Sequence, residues 1–508
     1  MIDSWAALVG VVLVAVTTLA IGTWGLRFSR TTSDFMVASR TVRPGLNASA
    51  IGGEYLSAAS FLGVAALVLT FGADMLWYPV GWTAGYLVLL VLVAAPLRRS
   101  GAYTLPDFAE ARLQSRGARA VCSVLVVAIG WLYLLPQFQG AGLVLRQAVG
   151  APPWVGTLVV SLVVLANVTS GGMRSITFVQ AFQYWFKLTA LLVPAAVLVA
   201  VWVGDGAVNP ADADGPGSAG IWSIPLGEGG AQGLYVTYSL IVATFLGTMG
   251  LPHVVVRFYT NPDGRAARRT TLAVLGLLGL FYLLPPVYGA LGRVYAADLA
   301  DGGATDTLVL ELPRLMLPGV GGDVLTGLLT AGAFAAFLST ASGLTIAVAG
   351  VLGQDVTGRR YGDRRLSGVT AFRVGAVLAV VVPGVLALAS MDVGVARVVG
   401  LAFAVAASTF CPLLVLGIWW RDLTAAGAVA GLLVGGLGSG FAVAWTLLTT
   451  ATEGWAPVLL GQPAAWSVPA AFATMVVVSL ATRGRSRVDA RRFMVRLHTP
   501  ESLPLDRG

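Results

Sequence analysis

Leu46-Asn47-Ala48-Ser49-Ala50-Ile51-Gly52-Gly53-Glu54-Tyr55-Leu56-Ser57-Ala58-Ala59-Ser60-Phe61-Leu62-Gly63 lies inside a long apolar segment and departs from it in composition. Gly52 and Gly53 are weak helix formers in the middle of a helical pattern. Glu54 puts a carboxyl group at or near membrane depth, where a bare charge costs about 3 kcal/mol or more. It needs a partner, a proton or a water-lined cavity. Ser57 and Ser60 follow three residues apart, on one helix face. Together these residues predict a helix that its glycines allow to open around something polar.

The rest of the chain supplies the membrane. Only 11% of the 508 residues are charged and 57% are hydrophobic, against about a quarter charged in soluble domains. The class is an all-α polytopic membrane protein. About thirteen segments are long and apolar enough to cross a bilayer, near residues 4–26, 45–72, 75–96, 119–148, 153–169, 175–203, 231–258, 270–296, 322–353, 370–391, 394–419, 423–448 and 464–482. The first is a retained span, because no positive n-region precedes it. Cys122 and Cys411 both fall in apolar segments, and the two histidines, His253 and His498, share no metal-binding spacing.

The net charge of +8 resides in alternate loops, which argues for orientation and against nucleic acid. Arginines follow the first span (Arg27, Arg30, Arg40, Arg43), the third (Arg98, Arg99, Arg112, Arg116, Arg119), the seventh (Arg265, Arg268, Arg269) and the ninth (Arg359, Arg360, Arg364, Arg365). The tail adds Arg483, Arg485, Arg487, Arg491, Arg492 and Arg496. Asp205, Asp212, Asp214 and Glu228 share a loop without Lys or Arg, and a second acidic loop holds Asp298, Asp301, Asp306 and Glu311. The positive-inside rule then puts the N-terminus outside and the C-terminus in the cytoplasm, as an odd number of spans requires. Two cytoplasmic features stand out. Thr104-Leu105-Pro106-Asp107-Phe108 has the cap, first-turn proline and acid of a helix start. Ala490, Phe493, Met494 and Leu497 form an apolar stripe away from Arg491, Arg492 and Arg496, suited to anionic lipid if the tail is ordered at all.

A second interruption falls in the seventh segment, where Gly247, Gly250 and Pro252 occur in Gly-Thr-Met-Gly-Leu-Pro-His. Pro252 removes a backbone donor and clashes with the preceding turn, and the freed carbonyls need protein, water or an ion. The interrupted segments are the second and the seventh. Transporters built from two inverted five-helix repeats carry broken helices at matching positions, with the site between them at mid-membrane. In the ninth segment Ala336, Ser339 and Thr340 share one face. Hydroxyl and carbonyl oxygens are hard ligands for an alkali cation, although such hydroxyls often bond their own helix instead. Gln137 and Gln139 are polar at depth. Asp355 and Lys187, the only lysine, read as lying nearer span ends, where they would snorkel or pair.

Four local matches resemble the sodium:solute symporter family: Leu56-Ser57-Ala58-Ala59-Ser60-Phe61-Leu62-Gly63, Thr104-Leu105-Pro106-Asp107-Phe108, Gly171-Gly172-Met173 and Phe337-Leu338-Ser339-Thr340. Gly53-Glu54-Tyr55-Leu56-Ser57-Ala58-Ala59-Ser60-Phe61 is similar to the Gly-Asp-Tyr-Met-Ser-Ala-Ala-Ser-Phe of the cation/acetate (monocarboxylate) subgroup, with Glu54 in place of the Asp. Gly250-Leu251-Pro252-His253 with Arg257-Phe258, and Gln137 with Gly140 and Gly142, resemble the same subgroup. The resemblance implies a LeuT-like fold of two inverted five-helix repeats. It implies a sodium site from carbonyls near Gly53 and Leu56, the Ala336 carbonyl, and the Ser339 and Thr340 hydroxyls. Tyr55, Ser57, Ser60, Gln137 and Thr248 are candidate solute contacts and Glu54 a coupling candidate.

The expected division is residues 1–44, an extra helix and loop; 45–420, the transport core (45–203 first repeat, 231–420 second repeat); 421–482, extra helices; and 483–508, a basic cytoplasmic tail. The expected function is secondary active symport in the plasma membrane: a cation, sodium or else a proton, moves inward with a small organic anion such as acetate, propionate or pyruvate. No organic cofactor, catalytic residue, nucleic acid or obligate protein partner is implied. The rivals are the same fold carrying proline, another amino acid, a sugar or a vitamin; a membrane sensor, for which the tail is too short to hold a kinase; and a membrane enzyme, for which no His/Asp/Glu cluster is present.

Overall fold

A computed structural model of the chain describes residues 5–25, 27, 31–212, 230–301, 305–357, 368–389, 395–449, 453–485 and 490–503. Arg30, Asp214, Glu228, Arg359, Arg360, Arg364, Arg365 and Arg487 lie outside the described residues. The described elements are helical throughout. They are α1 (Trp5–Gly25), α2 (Pro44–Tyr55), α3 (Ala59–Arg99), α4 (Arg116–Val149), α5 (Pro153–Gly204), α6 (Gly230–Gly250), α7 (Pro252–Val256), α8 (Gly264–Tyr295), α9 (Val320–Leu352), α10 (Gly368–Ala389), α11 (Val395–Trp419), α12 (Ala425–Leu448), α13 (Ala464–Thr482) and α14 (Arg491–His498). Among the described residues eleven stretches have the length and composition to cross a membrane, against about thirteen expected. Two of the eleven each hold two of the expected segments. In α3 the chain leaves helical geometry at Gly72 (φ 76°, ψ −154°) and passes through a short 3-10 turn before Trp77. α5 takes in the other pair and, at 52 residues, is too long for one crossing of the hydrocarbon core. Gly172 divides it, with non-helical φ 56° and ψ −154°. A side chain there would also strike the backbone of Phe35, so glycine is required both for the conformation and for the approach.

Both expected breaks occur. α2 ends at Tyr55 and the chain leaves helical geometry at Leu56 (φ −74°, ψ 88°). α6 ends at Gly250, and Leu251 is extended (φ −70°, ψ 119°) before Pro252 starts α7, a position proline suits because it has no N–H to satisfy. The expected role of Gly52 and Gly53 needs correction. Both lie within continuous helix, and the opening comes three residues later. What they remove is bulk: a Cβ on Gly52 would meet the Tyr184 ring, and one on Gly53 the backbone carbonyl of Gln180. They let α2 close onto α5.

α9 runs through the centre. Every residue from Leu329 to Leu352 is buried, whereas α1 leaves Leu8, Val12, Leu13 and Val16 exposed, as a helix facing lipid would. α2 packs against α5, α8 and α9, so the first break opens onto the buried helix.

The expected helix start at Thr104 is present. Thr104 and Asp107 form a reciprocal capping box over Leu105–Leu113. Replacing Thr104 with Ala is expected to lower stability by about 1 kcal/mol, measured as a fall in the melting temperature of the purified protein. A second box, between Thr31 and Asp34, starts Thr32–Val37. Burial alone would raise the pKa of Asp34, but hydrogen bonds from Ser39, Arg174 and Thr31 outweigh it and hold the carboxyl well below the usual range. The tail lies on protein. The Arg496 Nε donates to the Arg99 carbonyl (3.1 Å), Arg99 donates to the Leu497 carbonyl (3.3 Å), and the His498 Nε2 sits 2.9 Å from the Ile418 carbonyl. Leu497 is buried and Phe493 packs on Phe108. The apolar stripe that suggested lipid is thus in part an internal contact.

Candidate solute and cation site

The first break leaves the carbonyls of Gly53 and Leu56 without full helical partners, at the C-terminal, electronegative end of α2. The side chain of Lys187, from α5, fills that space. Its Nζ donates to the Gly53 carbonyl (2.6 Å), the Leu56 carbonyl (2.7 Å) and the Ser339 hydroxyl (3.0 Å). Ser339 in turn donates to the Ala336 carbonyl (3.0 Å), and the Thr340 hydroxyl donates to the Glu54 carbonyl (2.6 Å). The five residues expected around sodium therefore come together, with a lysine among them. Lys187 is fully buried rather than near a span end. Asp355 does pair, with the Arg119 Nε at 2.7 Å.

Glu54 has a partner. Its Oε2 accepts from the Arg257 Nε at 2.6 Å, and both side chains are at most 2% exposed. Arg257 follows directly after α7 and also donates to the Thr177 hydroxyl (3.0 Å) and to the Gln180 Oε1. Gln180 passes the connection on by donating to the Ser339 carbonyl (2.8 Å). The pair thus joins the two broken helices through α5 and α9. Gly343 makes room, since a Cβ there would overlap the Glu54 carboxylate.

The expected solute contacts gather on the other side of the first break. The Tyr55 hydroxyl lies 2.7 Å from the Thr248 hydroxyl on α6. The Thr248 hydroxyl also reaches the Thr244 carbonyl (2.8 Å) and the Tyr55 hydroxyl the Trp82 carbonyl (3.5 Å), so either hydroxyl can donate in the bond between them. Ser57 accepts from the Tyr133 hydroxyl (3.3 Å), Ser60 pairs with the Tyr282 hydroxyl (2.9 Å), and the Gln137 Oε1 accepts from the Ala58 N–H (3.3 Å). Around them sits an aromatic group that sequence reasoning missed. Trp82 and Tyr86 come from α3, Tyr133 from α4, Tyr282 from α8 and Phe403 from α11. Ring centroids lie 4.9 Å apart for Tyr55–Tyr86, 5.7 Å for Trp82–Tyr282 and Trp82–Phe403, and 6.0 Å for Tyr133–Phe403. His253 meets Tyr133 edge-on at 5.3 Å. The Trp82 Nε1, the Tyr86 hydroxyl and both ring nitrogens of His253 are buried without a hydrogen-bond partner. Buried polar groups are normally satisfied. Several unsatisfied ones beside a helix break make this cluster the candidate site for a polar ligand.

Two interrupted helices, five expected segments apart, bordering one buried polar and aromatic cluster define a secondary transporter of the inverted-repeat class. The solved structures agree. The chain is similar to a Na+-coupled sialic acid symporter in its substrate-bound outward-open state (TM-score 0.72, 14% identity, covering 94% of this chain and 98% of that one). It is also similar to MHP1, a nucleobase-cation-symport-1 family transporter (TM-score 0.57, 15% identity, 91% and 98% covered), and to MhsT in complex with L-phenylalanine (TM-score 0.52, 15% identity, 86% and 98% covered). At the level of sequence, residues 35–435 match the sodium:solute symporter family, and the chain belongs to it. A relative 31% identical over 429 residues, 82% of each chain, is the uncharacterized symporter YwcA of Bacillus subtilis. The protein is a multi-pass membrane transporter and not an enzyme.

Proposed function

We propose that the chain couples the inward movement of a cation to uptake of a small monocarboxylate, such as acetate, propionate or pyruvate, by alternating access. The observation that carries this is the set of unpartnered polar groups on Trp82, Tyr86 and His253 beside the first break. An indole N–H can only donate, and a tyrosine hydroxyl donates readily, which suits the oxygens of a carboxylate. The charge of the buried acid nearby in sequence, Glu54, is already balanced by Arg257 through Oε2, although its Oε1 makes no hydrogen bond. The similarity of residues 53–61 to the monocarboxylate subgroup supports the same reading. Kinship with sodium:solute symporters supports coupling to a cation gradient.

Tyr55, Ser57, Ser60, Gln137 and Thr248 contact or position the solute in this reading, and Glu54 with Arg257 links the broken helices during the cycle. Gly53, Leu56, Ala336, Ser339 and Thr340 form a cation site. The arginine-bearing loops support a plasma-membrane protein with its C-terminus in the cytoplasm, a core at 45–420 and extra helices at 421–482. Uptake of labelled acetate, propionate and pyruvate into proteoliposomes, against proline and glucose, tests the substrate class. Accumulation and mutual competition among the carboxylates is expected. Transport of proline or glucose alone would overturn it. Trp82→Phe and Tyr86→Phe each remove one polar group while keeping an aromatic ring, and each is expected to raise the half-saturating carboxylate concentration roughly tenfold, the loss of one hydrogen bond to a charged group.

A further inference from the structure

Lys187 deserves a function of its own, because an unpaired charge in the membrane interior is costly and its neighbours are not incidental. Three acceptors surround its Nζ at 2.6, 2.7 and 3.0 Å. Two are carbonyls, which can only accept. The third, the Ser339 hydroxyl, already donates to the Ala336 carbonyl and so accepts from the lysine. Three acceptors match the three N–H donors of an ammonium. The carbonyls project from the C-terminal end of α2, where the helix dipole favours a cation. Among the described residues no acid pairs with the ammonium. Glu54 is bonded to Arg257, and Asp323 on α9 to Arg314. The oxygen dipoles themselves hold the charge, as they would hold a metal ion.

We propose that Lys187 is a tethered cation that takes the place of sodium at the Gly53, Leu56 and Ser339 oxygens, so that this oxygen set does not bind sodium in the native protein. The inference rests on reading these residues as a cation site. It departs from what the resemblance implies for them. Sodium does not fit as the chain stands, because each of the three oxygens already receives the ammonium. Lys187 then does for the broken helix what a bound ion would: it ties the end of α2 to α9 across α5, and it cannot diffuse away.

The test uses purified protein and salts alone. The wild type, Lys187→Ala, Ser339→Ala and Thr340→Ala are melted in sodium, potassium and choline chloride at equal ionic strength. The wild type is expected to show no sodium-specific rise that Ser339→Ala or Thr340→Ala removes. Lys187→Ala vacates the oxygen set and is expected to gain a sodium-specific rise of roughly 5 °C. A sodium-specific rise in the wild type that Ser339→Ala or Thr340→Ala removes would overturn the proposal. So would a folded Lys187→Ala that gains none. A wild-type rise that survives both hydroxyl changes places sodium elsewhere and supports it. If Lys187→Ala does not fold, the wild type against the two hydroxyl variants still decides. No solute enters the measurement, so its outcome is separate from that of the uptake experiment.

Discussion

Glu54→Gln and Arg257→Met should each destabilise the protein by about 3 kcal/mol or more, while the double variant should recover most of the loss. Removing one partner of a buried pair leaves the other charge uncompensated, which costs about 3–5 kcal/mol, whereas replacing both is often neutral. The Glu54 and Arg257 side chains are at most 2% exposed and only 2.6 Å apart, so solvent cannot take over the role of the missing partner. A double-mutant cycle on melting temperature isolates the coupling. Additive losses would show that the two groups are held by their other contacts and not by each other. The same four proteins, assayed for uptake, separate stability from transport. The double variant is expected to be folded and slow, because the connection from α7 through Gln180 to Ser339 would have lost its charge.

The second large effect is expected at Gly53. Alanine raises helix propensity by about 1 kcal/mol over glycine, so on propensity alone Gly53→Ala should stabilise α2. Its Cβ, however, would run into the backbone carbonyl of Gln180, and a backbone atom cannot swing aside as a side chain can. Overpacking of this kind costs about 1–3 kcal/mol. It also moves the Gly53 carbonyl away from Lys187. A lower melting temperature and a more than tenfold loss of uptake are expected. Gly45→Ala, at a position with open space around it, is the control and should keep wild-type behaviour. Equal behaviour of the two variants would mean that α2 and α5 can separate without consequence.

What the sequence disclosed and what it concealed divide along chain distance. Both breaks were legible from local sequence: a glycine-rich, acid-bearing stretch that lies just before Leu56 without itself causing the opening, and Pro252 at the start of a helix. Even there the glycines were misread, since their purpose is two distant neighbours on α5, Tyr184 for Gly52 and Gln180 for Gly53. The need of Glu54 for a partner was legible from its depth. That the partner is Arg257 was not, because nothing in the order of residues measures which helices touch. Lys187 was concealed for the same reason. A single lysine in an apolar segment looks like a side chain reaching for the membrane surface, and only the packing of α2 and α9 around it reveals three oxygens waiting there. Trp82, Tyr86, Tyr133, Tyr282 and Phe403 are ordinary aromatic residues in four separate apolar stretches. Their common signal, unsatisfied or shared polar atoms around one break, exists only in three dimensions.

The terminal helix α14 has a consequence for how the protein is made. It ties Arg99 at the end of α3 to Ile418 near the end of α11, and Glu501 just beyond it accepts from the Gly264 N–H at the start of α8 (2.8 Å). All three partners leave the ribosome before residues 491–503 exist. That end of the bundle therefore stays unfastened until α14 and Glu501 have emerged. A chain cut short before α14 would leave those ends loose, and quality-control proteases could recognise an otherwise inserted protein by that defect alone.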